Sequence, residues 1–331
     1  MKTIAKFVSC VAAATLTACG GGGAGAPATA SASGTVAASP APITVPSAPV
    51  ATGYPANSQQ GEAFALLNAE RTKCGFAALV QNSALDIAAG AHANFLVENG
   101  VHYGHLEVAG LPFFSGVSEK DRAVAAGYSD PVGAVLAVSI GTLATSQART
   151  IQMQVRDILG APYHLLSVLD DYLDAGVGYA SKISGVNESK ALNITLGRSG
   201  GNPLDAAQVY TYPCEGSTAV NARLANETPS PIPANLSQDY KLYGTPIAVK
   251  VRTGKVLIVI SATITPGAGG PAVPAQIIGL ANTPQPALMR GDSAYVLPTS
   301  PLTPSTTYTV QLAGTSDGVA FTKTFSFTTS Q

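Results

Sequence analysis

Apolar residues recur at helical spacing through the first half of the chain and at alternating positions through its last third. Phe64, Leu67 and Arg71, spaced by three and four with Ala63 and Leu66 beside them, predict a helix over Gly61–Lys73. A second helix is predicted from Ser83 to Gly100. Asn82 or Ser83 can cap it, Asp86 lies in its first turn, and Leu85, Ala88, Ala89, His92, Phe95 and Leu96 form one face. Ser118-Glu119-Lys120-Asp121 predicts a capped short helix ending at Gly127. Ile151, Val155, Ile158 and Leu159 mark another, stopped by Gly160 and Pro162. Short strands are predicted at Ala175–Tyr179 and, by strict alternation, at Ala191–Leu196. Helices followed by paired strands give an α+β layered region over residues 61–213.

After Cys214 the pattern changes. Residues 214–238 read as a connector, made stiff by Glu227-Thr228-Pro229-Ser230-Pro231-Ile232-Pro233. Six β-rich runs follow between 239 and 331: Ile247–Arg252, Val256–Ile264, Gln276–Ala281, Ala294–Leu297, Thr307–Ala313 and Phe321–Thr328. Phe321, Lys323, Phe325 and Phe327 share one parity in the last run, as expected for an all-β sandwich. Gly314-Thr315-Ser316-Asp317-Gly318 matches the GxSxG pattern of serine hydrolases. It lies between two strand-like runs, and no histidine follows His164, so it is read as hairpin-turn chemistry.

The N-terminus has a different pattern. Lys2 and Lys6 precede an apolar run from Phe7 to Ala18, too short to cross a bilayer and shaped like an export signal. Leu16-Thr17-Ala18-Cys19 resembles the lipobox of bacterial lipoproteins, which implies lipidation at Cys19; an ordinary cleaved signal with a chance cysteine is the alternative. Residues 20–60 carry no charge before Gln60 and are rich in Gly, Ala, Pro and Ser. They read as a flexible tether of about 40 residues, reaching on the order of 35 Å. The expected location is therefore outside the cytoplasm, anchored to a membrane, at the outer membrane or cell surface. Charged residues make up 11% of the chain and the net charge is −1, so nothing points to an electrostatic footprint for nucleic acid, and no nucleic-acid partner is expected. With Cys10 in the signal and Cys19 at the lipid site, Cys74 and Cys214 remain, and in an oxidising compartment they are expected to form a disulfide.

One ordered set of residues carries a resemblance. Leu67-Asn68-Ala69-Glu70-Arg71, Cys74-Gly75, Leu79, Asn82, Leu85, Ala88, His92-Ala93 and Phe95-Leu96 come first. Gly104-His105, Phe113, Arg122, Ala126-Gly127-Tyr128, Pro162-Tyr163-His164 and Gly176-Val177-Gly178 follow. Their order resembles the CAP superfamily of cysteine-rich secretory, antigen 5 and pathogenesis-related (SCP/TAPS) proteins. The resemblance implies an α-β-α sandwich with a cleft whose two histidines and two glutamates can hold a divalent metal. By that resemblance the histidines are His105 and His164. The glutamates are not matched: Leu136-Ala137-Val138-Ser139-Ile140 stands where one belongs, and only Asp157 lies near the other. Glu107 could join His105 if the backbone between them is extended. The cleft candidates are thus His105, His164, Glu107 and Ser139, with His105 and His164 as the metal candidates. Two imidazoles fall short of the three or four ligands of a firm zinc site. The last region, through Leu302–Val310 and Phe325–Thr329, resembles bacterial Ig-like domains.

His92, on an apolar helix face, is read as a buried histidine satisfied by hydrogen bonds. His102 is read as a loop residue, with a place in the cleft as the alternative. Glu70 and Arg71 are read as hydrogen-bonding residues between elements. A Ser139–His164 nucleophile pair is conceivable, but no phosphate loop or HExxH motif occurs. The expected function is a non-enzymatic, lipid-anchored envelope protein whose cleft binds a lipid, glycan or protein. A structural or adhesive role with a degenerate cleft, or a weak cleft-based hydrolase, are the alternatives. No cofactor is expected beyond a candidate divalent metal such as zinc.

Overall fold

A computed structural model of the chain describes residues 53–143, 149–201 and 203–331. The export signal, Cys19 and the tether as far as residue 52 lie outside the described residues. Helix α1 (Gln59–Lys73) starts where the Ser58 side chain accepts the Gly61 N–H, and it carries Arg71 and Lys73 in its last turn. Strand β1 (Val80–Gln81) leads into α2 (Ser83–Asn99), capped by the Asn82 side chain and ended at Gly100, whose φ is 127°. A 3-10 turn (Val101–Tyr103) and a long loop reach α3 (Glu119–Ala125), which opens with a capping box between Ser118 and Asp121. Strand β2 (Val132–Thr142), α4 (Ile151–Leu159), α5 (Pro162–Val168) and the hairpin β3 (Asp174–Ser184) to β4 (Asn187–Gly197) complete this part.

The first sheet has the order β1-β3-β4-β2, with β1 parallel to β3 and the other pairs antiparallel. Helices cover both faces. Ala175 and Val177 of β3, Leu192, Ile194 and Leu196 of β4, and Val135 of β2 share a core with Phe64, Leu67, Val155, Ile158 and Leu165. The opposite parity faces α2, where Phe95 and Leu96 pack with Ala180 and Ala191. At Gly176 and Gly178 the backbone of α2 comes so close that a Cβ would lie 2.1 Å from Leu85 C or Ala89 C. The tether expected over residues 20–60 is already docked at Tyr54, whose ring packs on Phe64 and whose hydroxyl bonds Asp86. An aromatic residue with a polar tip suits such an anchor.

Two further four-stranded sheets follow. β5 (Tyr210–Tyr212), β7 (Ile247–Lys250), β10 (Ser293–Pro298) and β9 (Ala275–Gly279) form one, in that order. β6 (Ser217–Val220), β12 (Val319–Thr329), β11 (Thr307–Ser316) and β8 (Leu257–Pro266) form the other. Ile247, Val249 and Val296 face Val310, Leu312, Phe325 and Phe327 across a shared core. The opposite parity of the same strands, Ala248, Tyr295 and Leu297, joins the core of the helical layer instead. The middle sheet is therefore buried on both faces, and its alternating residues link the α+β part to the outer sheet. GxSxG straddles the β11–β12 hairpin: Asp317 and Gly318 have φ of 48° and 79° and form its two-residue turn. Cys74 and Cys214 are disulfide-bonded, with Cα atoms 5.4 Å apart. Beyond Cys214 the segment read as a connector is packed, with Leu224, Glu227 and Ile232 buried. No described helix is long and apolar enough to cross a membrane.

Candidate functional site

His105 follows the turn that ends α2, and His164 lies in the first turn of α5. These elements belong to layers on opposite faces of the first sheet. The two rings meet beside its edge strand β2, with Nε2 atoms 3.3 Å apart.

The backbone around His105 is held from beneath by a buried polar cluster. His92 Nε2 lies 2.8 Å from the Gly104 carbonyl, and Arg122 Nη2 donates to the His105 carbonyl at 3.0 Å. Glu107 joins these two side chains. Its carboxylate lies 3.0 Å from His92 Nδ1 and 3.7 Å from Arg122 Nε, and accepts from Ser115 N and Oγ. Both His92 nitrogens face oxygen acceptors, so a proton lies between Nδ1 and Glu107. Burial lowers the His92 pKa, the charge of Arg122 adds to this, and the bond to Glu107 opposes it. Glu107 thus faces the interior and does not join the histidines; it steadies the loop that carries His105.

His164 is held differently. Ala161, the residue before α5, has no side-chain cap to offer. The cap comes from Glu227, whose two carboxylate oxygens accept from Tyr163 N at 3.0 Å and His164 N at 2.7 Å. A carboxylate suits the free N–H groups and positive dipole of a helix start. The same Glu227 Oε1 lies 3.2 Å from His164 Nδ1. Glu227, His164 and His105 therefore form a continuous polar chain. Burial, together with the neighbouring His105, brings His164 down to about 3. Burial also lowers His105, with Glu119 opposing and Arg122 adding. Burial pushes Glu227 up to about 7 against the pull of its two backbone donors. Near neutral pH both imidazoles are uncharged, the form that ligates metals and accepts hydrogen bonds.

The histidines border a cleft of about 850 Å³. Leu106, Leu136, Val138, Ile140, Ile158 and Leu224 form the apolar part of its lining, and Arg149, Asp157, Asn226 and Glu227 belong to the polar part. Ser139 also borders it, but its Oγ has no hydrogen-bond partner, and both His164 ring nitrogens are directed elsewhere. The structure does not form a Ser139–His164 pair. Asp157 is in the cleft wall, ion-paired with Arg149. His102 borders the cleft with its ring against Tyr103. Arg71 is buried and donates to the Ala77 and Val168 carbonyls, while Glu70 bonds Arg156 and Tyr212. Among the described residues no group of three or more His, Cys, Asp or Glu is placed to hold a metal ion.

Glu227 is the site residue that sequence reasoning missed. Its only signal was a lone carboxylate in a proline-rich segment of a charge-poor chain.

No family model matches the chain, and no curated protein matches it. Among solved structures, it is similar to an extracellular protein containing a SCP domain from Bacillus anthracis. The two share 14% identity at a TM-score of 0.29, over 40% of this chain and 39% of the other. The chain thus spans about two fifths of that protein's length. A likeness of this extent assigns neither fold nor activity to the chain.

Proposed function

We propose that this chain is an exported, lipid-anchored envelope protein whose cleft is a non-catalytic binding site for an amphiphilic lipid. The observation that carries the reading is the cleft itself. A cleft of about 850 Å³ lined by apolar side chains, by polar groups and by a pair of neutral imidazoles has the size of a small-molecule site and suits a ligand with both apolar and polar parts. The apolar walls suit an acyl or other hydrocarbon chain, and the imidazoles suit its polar head. Export and anchoring rest on Lys2, Lys6, the apolar run and Cys19. The ordered residues from Leu67 to Gly178 support a CAP-like α-β-α layer, and the last two sheets read as an Ig-like spacer.

The residues do not make up a metal site: among the described residues no third His, Cys, Asp or Glu joins the two imidazoles, which fall short of the three or four ligands zinc requires.

Mass spectrometry of an organic extract of the purified protein tests the proposal. A bound amphiphile is expected in the parent and should be lost in Val138→Arg, which puts a charge on the apolar wall. An empty parent, or equal recovery from the variant, would instead favour the structural or adhesive role. A hydrolase is the weaker reading, because Ser139 lacks the hydrogen bond to a base that would activate it.

A further inference from the structure

We infer that the loop of residues 106–117, between the 3-10 turn and α3, is a membrane-docking surface that lays its apolar side chains on the bilayer holding the chain. This rests on the lipid-anchored reading and adds how the folded part meets that bilayer.

The loop is turned inside out. Leu106, Val108, Phe113, Phe114 and Val117 are each 40% or more exposed, while the one charged residue among them, Glu107, is 2% exposed. A single large apolar residue at a surface is ordinary, but a cluster of this kind marks a surface that is covered in use. Glu107 turns inward to His92 and Arg122, which leaves the loop without an exposed charge. Much of its backbone is satisfied from within the protein. Glu107 N donates to the Val117 carbonyl, Leu111 N to Val108 and Phe114 N to Leu111. Asn99 donates to the Pro112 carbonyl, and Arg122 to those of Gly116 and Val117. A segment that enters the apolar edge of a bilayer has to meet its backbone groups this way, because water is scarce there. An apolar face of this kind sits shallowly, at the boundary of head groups and acyl chains.

The N-terminus says which partner is at hand. A lipid at Cys19 leaves residues 20–52 before Gly53, where the described structure begins, and a coil of that composition spans on the order of 30 Å. Docking on the bilayer is then intramolecular, at an effective concentration on the order of mM, so a loop too weak to hold a membrane alone suffices. The loop offers no exposed charge to orient a protein partner. Leu106 also lines the cleft, so the docking surface runs up to the site proposed for an amphiphile.

The chain contains no tryptophan, so Phe113→Trp puts a single fluorophore on the loop. Val319→Trp puts one on the outer β11–β12 hairpin as a control. The mature proteins are reconstituted into phosphatidylethanolamine–phosphatidylglycerol vesicles with or without brominated acyl chains. Intact mass and vesicle flotation report the anchor. F113W is expected to emit at shorter wavelength than V319W, to lose most of its emission to bromine and to resist acrylamide, whereas V319W is quenched by acrylamide alone. The F113W response should survive about 1 M salt, because no exposed charge takes part. Adding Val117→Asp should abolish it without releasing the chain from the vesicles. If the chain carries no acyl group and does not float, the anchored reading fails and the inference falls with it. If it floats but F113W stays open to acrylamide and untouched by bromine, anchoring stands and the docking surface is overturned. Equal bromine quenching at both positions overturns it too, since no face is then preferred. So does a blue-shifted F113W that bromine does not reach, because the loop is then covered by protein, a second copy included. Should F113W not fold, Phe114→Trp is read in the same way.

Discussion

Lys250 Nζ lies 3.2 Å from Asp170 Oδ1 and ties strand β7 of the middle sheet to the turn after α5. The same ammonium lies 3.2 Å from Asp292, and Arg290 pairs with both aspartates. Lys250 and Asp292 are each only 2% exposed. Lys250→Met keeps most of the side-chain volume and leaves two carboxylates short of a cation. We expect a loss of about 3–5 kcal/mol in urea unfolding, the usual result of removing one partner from a buried pair. Lys255→Met, at the exposed pair with Asp317, should cost less than about 1 kcal/mol. Equal losses in the two variants would rule out the buried cluster as an interlayer tie.

His164 and Glu227 predict an unusual pH profile. His164 is lowered from 6.5 to about 3, and Glu227 is raised from 4.5 to about 7. The lowered histidine contributes stability that is present above pH 6.5 and lost as pH falls toward 3. The raised carboxyl contributes stability that is present below pH 4.5 and lost as pH rises through 7. Between 4.5 and 6.5 folded and unfolded chains each hold one proton on the pair, so it adds no slope there. In Glu227→Gln only the histidine remains. Its stability should fall relative to the parent by about 1.4 kcal/mol per pH unit between 6.5 and 4.5. Urea unfolding of both proteins from pH 4 to 8 checks this, and parallel curves would sink it.

Glu107 supports His105 without touching it. Glu107→Gln keeps the shape but removes the charge between His92 and Arg122, both buried. A loss of about 3 kcal/mol or more is expected in thermal unfolding. The amide protons of Gly104 to Leu106 should also exchange faster with solvent, because His92 and Arg122 hold that backbone. Unchanged exchange would mean the loop is held by something else.

Two glycines near one another should respond with opposite signs. A Cβ on Gly178 would lie 2.1 Å from Ala89 C and force α2 away from β3. Gly178→Ala should therefore cost about 1–3 kcal/mol or more. Gly90, inside α2, has nothing within 4 Å of a Cβ. Gly90→Ala should add about 0.5–1 kcal/mol, since glycine is the weaker helix former. Calorimetric melting of both variants decides the matter; two losses would contradict the α2–β3 contact.

What could be read in the sequence follows the physics of each element. Helix α2 announced itself through the Asn82 cap, Asp86 and one apolar face. The strands β7 to β12 did so through alternation and turn residues. Strand β2 escaped because Val135-Leu136-Ala137-Val138 is apolar at every position; helices cover both of its faces, so no period of two survives. Helix α5 escaped because it lacks a local cap: Ala161 is silent, and its carboxylate partner stands 63 residues later. Histidines 105 and 164 were legible as a pair only by resemblance. Glu227 was not, because its role depends on a fold that returns the proline-rich segment to the start of α5.

Glu227 also sets a timetable. A chain made from its N-terminus presents His105 and His164 well before residue 227 exists to hold His164. Until that carboxylate arrives, the start of α5 has unmet N–H groups and the His164 ring has no fixed proton. The packed segment that brings Glu227 continues into the middle sheet, whose inner face shares the helical core. The cleft is therefore finished late, when the segment from Leu224 to Thr228 adds its side of the lining. Damage to the outer sheets would be felt at the histidines without any residue of the cleft having changed.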